Sequence, residues 1–455
     1  MTIESVAHRR RITRFALDDR SFRLLLTAGA SYLGRFGAGV AVLVTIPMAR
    51  AALAPELFGV WMMLSSLLGF FAFADLGVGN GVLNRVTLAK AHGDRELLRR
   101  VIAAGYFTTI MVGAILLVAW FAWLKASGDP TVLAGHLQDD LKPQVAAALT
   151  TFVVLLALNI SLSLIQKIEL GAQDGHWVGF AQFAGSIGTV IAVPSVLHFG
   201  GGLTALVLST LGMQVLVNLG NTLVWIARVP LLRGASPARM VERDMVASLL
   251  RSGSMFFILQ LAAAFAFQSD SIVITQTLGQ RAYGDFAVIQ KLFLFVSMIL
   301  NAALMGLWPA FGDAMARGDM AWARRALFRG LALAGTFALL AVAVMIASMG
   351  WITSHWLKSK APVDLTLLVA LGAWTVTDAM ASVGGAFMNG ANVLRAQVLF
   401  ALTMAGLSFA GKLWMTPHLG APGAVLATLV AYGLISVPGQ IFIFRRMLAT
   451  PKVSS

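Results

Sequence analysis

One stretch of this sequence occurs twice, at residues 58–105 and again at residues 283–330. Each copy holds a long apolar run, followed by a short hydrophilic hinge that is rich in arginine. The matching residues keep a constant offset of 225 positions: Gly59 with Gly284, Ala91 with Ala316, Gly93-Asp94 with Gly318-Asp319, Arg99-Arg100 with Arg324-Arg325, and Gly105 with Gly330. A match of this length without insertions predicts two related halves that share one packing scheme.

The apolar runs are those of a membrane protein. Of the 455 residues, 58% are hydrophobic and 12% are charged, whereas about a quarter of the residues in a soluble domain are charged. Each membrane crossing needs about 20 apolar residues, so about twelve helices fit this length. The predicted fold class is therefore all-α: a polytopic membrane protein with about twelve transmembrane helices in two pseudo-symmetric six-helix bundles.

The positions of the apolar runs predict the boundaries of the spans and domains. The twelve predicted spans cover about residues 24–49, 57–86, 101–124, 143–168, 177–197, 203–227, 252–277, 284–311, 327–350, 365–388, 395–414 and 422–443. They divide the chain into a cytoplasmic N-terminal segment (1–23), an N-terminal six-helix bundle (24–227), a cytoplasmic linker (228–251), a C-terminal six-helix bundle (252–443) and a cytoplasmic tail (444–455). Because an even number of crossings separates the copies, both halves have the same orientation, with a symmetry axis along the membrane normal.

The net charge of +14 is distributed unevenly along the chain. Arginine and lysine cluster before the first span, after the second and eighth spans, in the linker and in the tail, whereas the alternate loops carry few. This asymmetry follows the positive-inside rule and places both termini in the cytoplasm. It also explains the basic charge without a nucleic-acid partner.

The sequence carries no signature of an enzyme or of a metal site. It has no cysteine, which excludes thiolate metal sites and a cysteine nucleophile. Its seven histidines form neither HExxH nor another recognisable metal-binding spacing. Gly77, Gly79 and Gly81 do not complete a dinucleotide-binding GxGxxG pattern, because position 82 is valine.

Polar residues inside the predicted spans are the candidates for function. An ionisable side chain in a bilayer costs at least about 2.5 kcal/mol unless it faces a cavity or a partner. The candidates are the basic residues Arg35, Lys291 and Lys412, the acidic residues Asp75, Asp270 and Asp378, and Gln260, which is the repeat-equivalent of Arg35.

Structural roles compete with functional ones at several of these positions. The amino groups of Lys291 and Lys412 could extend to the outer interface. Asp75 could cap or bend the Gly-rich end of the second span, and Asp270 could pair with a neighbouring helix. Arg35 lies too deep in its predicted span for its side chain to extend to the membrane interface, which favours a functional role for it. Four amide residues inside the spans are interpreted as interhelical hydrogen-bonding residues and not as substrate contacts: Asn159, Gln166, Asn218 and Asn301.

Residues 55–100, PELFGVWMMLSSLLGFFAFADLGVGNGVLNRVTLAKAHGDRELLRR, resemble the second-helix region of bacterial polysaccharide flippases. These proteins belong to the multidrug/oligosaccharidyl-lipid/polysaccharide exporter superfamily and include O-antigen and capsule-unit flippases. Asp270, followed by Ile272-Val273-Ile274, Leu278-Gly279 and Tyr283-Gly284, is similar to the same family's entry into the eighth helix. The related lipid II flippases usually carry two further helices, which this chain lacks.

The resemblance implies a V-shaped, MATE-like pair of bundles that works by alternating access. The implied cargo is an undecaprenyl-diphosphate-linked oligosaccharide, which moves from the cytoplasmic to the outer leaflet during cell-surface polysaccharide biosynthesis. Arg35 would bind the diphosphate, because arginine suits bidentate contact with phosphate oxygens, with Gln260, Lys291 and Lys412 as further substrate contacts. Asp75, Asp270 and Asp378 would bind a coupling proton or sodium ion, with no other cofactor. Expected partners are the polyprenyl-diphosphate-linked glycan, the lipid bilayer and glycan polymerase or chain-length proteins, with the protein itself a monomer.

Three other functions remain open from the sequence. A multidrug antiporter of the same fold would use the three carboxylates for cationic substrates. A membrane-embedded glycan polymerase or transferase would act on the same lipid-linked sugars, although the twofold repeat and the lack of a catalytic loop argue against it. A scaffold for cell-envelope assembly would tolerate the loss of the charges inside the membrane.

Overall fold

In the computed structural model the chain is built from helices and short connections. The structure describes residues 19–71, 75, 77–135, 137–228, 241–304, 307–358, 364–391 and 393–449. The helices of the first half are α1 (Asp19–Ala52), α2 (Pro55–Phe71), α3 (Val78–His92), α4 (Arg95–Ser127), α5 (Lys142–Leu162), α6 (Leu164–Gly171), α7 (His176–His198), α8 (Leu203–Val207) and α9 (Met213–Arg228). Those of the second half are α10 (Arg243–Leu278), α11 (Gln280–Leu304), α12 (Leu307–Ala316), α13 (Met320–Trp351), α14 (Leu365–Gly390), α15 (Leu394–Leu419), α16 (Ala421–Ala431) and α17 (Val437–Ala449).

Ten helical stretches among the described residues are long and apolar enough to cross a membrane. They coincide with ten of the twelve predicted spans. The second predicted span is divided into α2 and α3, which have 17 and 15 residues. The seventh corresponds to the 36-residue helix α10, part of whose side chains lie outside the described residues. The prediction of an all-α polytopic membrane protein is confirmed.

The prediction of one continuous helix over residues 57–86 is wrong. Gly77 precedes α3 with a φ of 75°, a left-handed conformation that glycine adopts without steric cost. The carboxylate of Asp75 accepts hydrogen bonds from the backbone N–H groups of Gly77 and Gly79, at 2.9 Å each. These bonds satisfy donors at the start of α3 that have no partner within the helix. Within the predicted span 284–311 the described residues form α11, to Leu304, and α12, from Leu307, and residues 305 and 306 lie outside the described part of the chain.

The two hydrophilic hinges have the same local structure. Gly93 and Gly318 both have positive φ, at 69° and 74°, and each ends the preceding helix. The carboxylates of Asp94 and Asp319 then accept a hydrogen bond from the backbone N–H three residues later, at 2.9 Å in both cases. Because of these caps, α4 and α13 begin six or seven residues before the apolar runs that predicted them.

The predicted linker 228–251 is partly helical. Helix α10 begins at Arg243, so residues 243–251 continue the helix into the polar segment. Residues 229–240 lie outside the described part of the chain, as do residues 1–18 of the predicted N-terminal segment and residues 450–455 of the predicted tail.

The two halves repeat the same helix contacts. Helix α1 packs against α7 as α10 packs against α15, α4 packs against α5 as α13 packs against α14, and α3 packs against α6 as α12 packs against α14. Close glycine contacts recur at matching places: a side chain on Gly171 would meet Val86 of α3, and one on Gly390 would meet Phe311 of α12. A π-helical turn also interrupts the last span of each half, at Leu208–Gly212 and at Tyr432–Ser436. The structure therefore carries the internal repeat beyond the residues that match in sequence.

The largest apolar core among the described residues joins the two halves at one end of the molecule. We call the end that holds the two Gly-Asp hinges the basic end, and the end that holds residues 53–55 and 279–280 the closed end. One large core cluster at the closed end contains side chains of both halves, among them Phe58, Trp61, Tyr283 and Phe286. Toward the basic end the described core divides into one cluster of α3, α4 and α6, which includes Leu249 from the start of α10, and a separate one built on α12, α13 and α14.

The closed end depends on the two repeat-equivalent glycines, Gly59 of α2 and Gly284 of α11. A Cβ at Gly59 would collide with the backbone carbonyl of Gln280, and a Cβ at Gly284 would lie 3.1 Å from the Cα of Gly59. Polar contacts surround this crossing: Arg50 and Asp285 form an ion pair at 2.7 Å, and Tyr283 and Ser66 are hydrogen-bonded at 2.6 Å between their hydroxyl oxygens.

Candidate functional site

A cavity of about 290 Å³ lies next to the closed-end contact and is called here the second-half cavity. Four of the five elements around it, α10, α11, α14 and α16, belong to the second half, and α2 contributes from the first. Its lining residues are Ser65, Ser66, Gln268, Asp270, Gln290, Lys291, Leu294, Leu371, Trp374, Asp378, Val425 and Thr428. Three of the charged residues predicted from sequence therefore meet at one cavity.

Asp270 and Lys412 form an ion pair inside the second half. The Nζ atom of Lys412 lies 2.6 Å from Oδ1 of Asp270. Lys412 is fully buried, and its Nζ also donates to the carbonyl of Ala266 at 2.6 Å and to the hydroxyl of Ser269 at 3.1 Å. Three oxygen atoms of α10 thus surround the ammonium group of α15. Lys412 consequently does not extend to a membrane interface, which corrects the alternative considered from sequence.

Lys291 and Asp378 line the same cavity in a different manner. Among the described residues, no carboxylate lies within the 4.0 Å ion-pair distance of the Lys291 amino group. Asp378 of α14 is hydrogen-bonded to Ser297 of α11. The cavity therefore presents one amino group and one carboxylate beside the neutralised Asp270–Lys412 pair. Separated charges of this kind are expensive in a membrane, and they are expected where a site binds ions or polar ligands.

Arg35 lies near the middle of α1, on the face that is turned toward the second half. Its neighbours Gly34 and Gly37 pack against α7, where a Cβ would meet Gln182 and Phe183. Gly39, one helical turn further along α1, packs against Phe295 of α11. Residues four apart share a helix face, so Arg35 faces the region between the halves. Gln260, its predicted counterpart, is in α10, and its side chain lies outside the described residues.

In this structure the Asp75 carboxylate is hydrogen-bonded to the backbone at the start of α3. Both of its carboxylate oxygens accept hydrogen bonds from the first turn of α3. It also borders a second cavity, of about 620 Å³, which we call the first-half cavity. The lining residues of that cavity are Asp75, Leu156, Asn159, Ile160, Ser163, Leu164, Gln166, Lys167, Gln182, Thr210, Leu211, Gln214 and Asn218.

Amide side chains dominate the polar lining of the first-half cavity. Gln166 donates a hydrogen bond to Oδ1 of Asn218 at 2.9 Å, and Nδ2 of Asn218 donates to Oδ1 of Asn159 at 2.9 Å. The prediction that these three residues form interhelical hydrogen bonds is confirmed. That they would also line a cavity was not predicted. The available signal was the recurrence of amides in adjacent spans.

Glu169 was missed because the predicted span ended at residue 168. In the structure it lies in α6 and is 1% exposed. Its Oε2 accepts a hydrogen bond from Nδ2 of Asn221 in α9 at 2.8 Å. This carboxylate is one of the buried charges of the first half, close to the basic end.

Comparison with protein families and curated proteins gives consistent matches. A family model described as "Polysaccharide biosynthesis protein" matches residues 27–315. The Putative O-antigen export protein of Yersinia pseudotuberculosis is 22% identical over 268 residues, which cover 58% of this chain and 60% of that protein. The Putative O-antigen transporter of Salmonella typhi is 21% identical, with coverage of 66% and 67%. The chain thus spans about three fifths to two thirds of the length of these relatives.

Solved structures match the fold over most of the chain. A multidrug resistance MATE family transporter of the MOP superfamily, in an inward-facing conformation, has a TM-score of 0.74 at 14% identity, covering 92% of this chain and 96% of that chain. The lipid II flippase MurJ, in an inward closed conformation, has a TM-score of 0.72 at 11% identity, covering 92% and 87%. The predicted MATE-like fold is confirmed. The curated relatives are described as export or transport proteins, as expected for a transporter rather than an enzyme.

Proposed function

This chain belongs to the polysaccharide biosynthesis protein family, and we propose that it moves a lipid-linked saccharide across the bacterial inner membrane by alternating access. The substrate would be a polyprenyl-diphosphate-linked oligosaccharide, flipped from the cytoplasmic to the outer leaflet. The observation that carries the proposal is the division of the apolar core. The two bundles share one large core at the closed end, whereas toward the basic end the cluster of α3, α4 and α6, which takes in the start of α10, is separate from the cluster of α12, α13 and α14, with Arg35 on a face between the halves.

The distribution of charge supports an orientation for this arrangement. The basic end carries the arginine-rich hinges, so the positive-inside rule assigns it to the cytoplasm. The closed end would then face the outside, and the region between the halves would admit a headgroup from the cytoplasmic leaflet. The polyprenyl chain would stay in the bilayer, since only the sugar and the diphosphate require a polar path.

Arg35 is the residue we propose for binding the diphosphate. Its guanidinium group is always charged and presents several donors in one plane, which suits phosphate oxygens. Glycines on either side let α1 pack closely against α7 while Arg35 faces the other half. Lys291, in the second-half cavity, would supply a second positive charge once the headgroup moves toward the closed end.

Replacing Arg35 with alanine is expected to lower the rate of flipping at least about tenfold, because a hydrogen-bonded charge contact contributes about 1.5–3 kcal/mol. The flipping rate of Arg35→Lys should lie between those of the wild type and Arg35→Ala, since lysine keeps the positive charge and loses the planar array of donors. The measurement is translocation of a short polyprenyl-diphosphate-linked saccharide in proteoliposomes, with Arg281→Ala on the exposed surface as the control. Equal rates for wild type and Arg35→Ala would remove Arg35 from the proposal.

For coupling to an ion we propose Asp378 ahead of Asp270 and Asp75. Asp270 is already paired with Lys412, and Asp75 is hydrogen-bonded to the start of α3. Asp378 lines the second-half cavity, and its side chain is hydrogen-bonded to Ser297. It is the carboxylate of the three best placed to take up a proton or a sodium ion from the cavity.

Asp378→Asn is expected to abolish the acceleration of flipping by an imposed proton or sodium gradient, while flipping without a gradient continues. Asparagine keeps the shape of the side chain and removes its ability to exchange a proton or neutralise a cation. The gradients are imposed one at a time on the same proteoliposomes, which identifies the ion. Asp364→Asn is the control, because asparagine can also cap the start of α14. Full gradient response in Asp378→Asn would exclude this carboxylate.

The other functions considered from sequence give different results in the same assays. A multidrug antiporter would exchange organic cations for protons and leave the lipid-linked saccharide in place. A polymerase or transferase would extend the saccharide, and a scaffold would tolerate all of these substitutions. A monomeric state and binding to glycan polymerase or chain-length proteins remain predictions.

A further inference from the structure

The first-half cavity is a polar interior space that the function proposed above does not use. Side-chain amides from α5, α6, α7 and α9 border it, together with the hydroxyl groups of Ser163 and Thr210. Its volume of about 620 Å³ lies in the range of small-molecule sites, about 300–1,000 Å³. A polar space of this size in an apolar bundle requires an explanation, because polar groups in a membrane interior are costly.

The two charged side chains at this cavity have opposite signs, and each is already hydrogen-bonded to a neighbouring group. Asp75 accepts hydrogen bonds from two backbone N–H groups, and the Nζ atom of Lys167 donates to Oδ1 of Asn80 at 3.0 Å. The lining therefore has one carboxylate and one ammonium group with local partners. Such a lining does not favour a diphosphate, which would meet the Asp75 carboxylate without an excess of positive charge.

The amides suit a ligand that is rich in hydroxyl groups. Each amide has two donor hydrogens and an oxygen with two lone pairs. The bonds among Asn159, Gln166 and Asn218 do not exhaust this capacity, and they fix the positions of the groups. Gln214 is held less firmly, with its Nε2 3.5 Å from Oδ1 of Asn218. Alternating donors and acceptors in a fixed arrangement match the vicinal hydroxyls of a sugar, and Leu156 and Leu164 supply apolar surface for its C–H groups.

The cavity lies beside the proposed diphosphate contact. Gln182 borders the cavity, and a Cβ on Gly34 would lie 2.9 Å from its Oε1. Gly34 directly precedes Arg35 in α1. A ligand with a neutral sugar joined to a diphosphate could therefore place the sugar in the cavity and the diphosphate at the adjacent arginine.

We propose that the first-half cavity binds the sugar portion of the lipid-linked substrate, with Gln214 and Gln182 as contacts to its hydroxyl groups. This inference rests on the proposed function and assigns the two parts of the headgroup to two different places. The internal repeat supports different roles for the two cavities. Asn159 in this cavity corresponds to Asp378 in the second-half cavity, at the offset of 219 that relates Leu170 to Asn389. The equivalent position is neutral in one half and acidic in the other.

The test compares two ligands on the purified, detergent-solubilised full-length protein. One ligand is the lipid-linked oligosaccharide extracted from a host strain that lacks this gene, and the other is the sugar-free polyprenyl diphosphate. Affinities are measured by the change in tryptophan fluorescence for wild type, Gln214→Leu and Gln182→Leu. The matched control is Gln397→Leu, which removes a partly buried helical glutamine of the second half that has one hydrogen bond to Asn389.

We expect Gln214→Leu and Gln182→Leu to weaken binding of the glycosylated lipid about tenfold each, from the loss of hydrogen bonds to a ligand hydroxyl. Binding of the sugar-free lipid should change less than about twofold, and Gln397→Leu should leave both affinities unchanged. Arg35→Ala should instead weaken the binding of both ligands, because both carry the diphosphate.

The possible failures are distinguishable. If wild type binds both ligands with the same affinity, or if the two glutamine variants weaken both ligands equally, the sugar site is overturned and the proposed function stands. If wild type binds neither ligand, the proposed function itself fails. Unchanged thermal unfolding of Gln214→Leu and Gln182→Leu confirms that any lost affinity comes from the site and not from the fold.

Discussion

Lys412→Met is expected to lower the free energy of unfolding by about 3–5 kcal/mol, the usual cost of removing one member of a buried ion pair. Lys412 is fully buried and neutralises Asp270 at 2.6 Å. Methionine fills much of the same volume, so the loss comes mainly from the carboxylate that remains without a cation. The substitution also leaves the carbonyl of Ala266 and the hydroxyl of Ser269 without their ammonium donor.

A double variant separates this charge effect from packing. Lys412→Met with Asp270→Asn removes both charges together and should recover most of the stability, because paired charges in a core can often be replaced by neutral groups. Lys291→Met is the matched control, since Lys291 borders a cavity and has no ion-pair partner among the described residues. Thermal unfolding in detergent measures all three. A Lys412→Met protein as stable as the wild type would show that the pair contributes nothing to the fold.

Gly59→Val is expected to disfavour closure of the closed end and therefore to slow transport strongly. A side chain at this position would collide with the carbonyl of Gln280, which is backbone and cannot move aside alone. Overpacking of this kind costs about 1–3 kcal/mol, which reduces the ratio of closed to open protein about 5- to 150-fold. A carrier that works by alternating access completes its cycle less often when one of its two states is less populated.

Distance measurements between spin labels test this prediction directly. The chain has no cysteine, so Leu133→Cys and Arg281→Cys place the labels at two exposed positions of the closed end without background labelling. The distance between them should lengthen in Gly59→Val. Gly406→Ala is the control, because a Cβ at that helical glycine meets nothing within 4 Å. An unchanged distance together with normal flipping in Gly59→Val would contradict the role assigned to the glycine crossing.

Much of the fold could be predicted because it is encoded locally. The membrane spans follow from runs of apolar residues, and the hinges follow from a glycine that ends one helix and an aspartate that begins the next. The matching residues at the offset of 225 predicted the twofold repeat, and the structure shows equal caps at Asp94 and Asp319. The division of the second span near Asp75 was not predicted, since hydropathy does not distinguish a broken helix from a continuous one.

The site could be predicted only as a set of candidate residues. The cost of charge in a membrane identified Arg35, Asp270, Lys291, Asp378 and Lys412 from sequence. It could not identify Lys412 as the partner of Asp270, because 142 positions separate them and only the packing of α15 against α10 brings them together. From sequence, Asn159, Gln166 and Asn218 were predicted only to form contacts between helices, whereas the structure shows that the same residues border a cavity.

The class of the protein and the existence of two equivalent halves could be predicted from the sequence alone, since each depends on composition or on spacing along the chain. The tertiary structure decided where the halves meet, which charges neutralise each other and which polar residues share a cavity. These features depend on contacts between helices that are distant in sequence. Gly59 and Gly284 illustrate the difference: their equivalence is visible in the sequence, but their contact arises only when the two halves pack together.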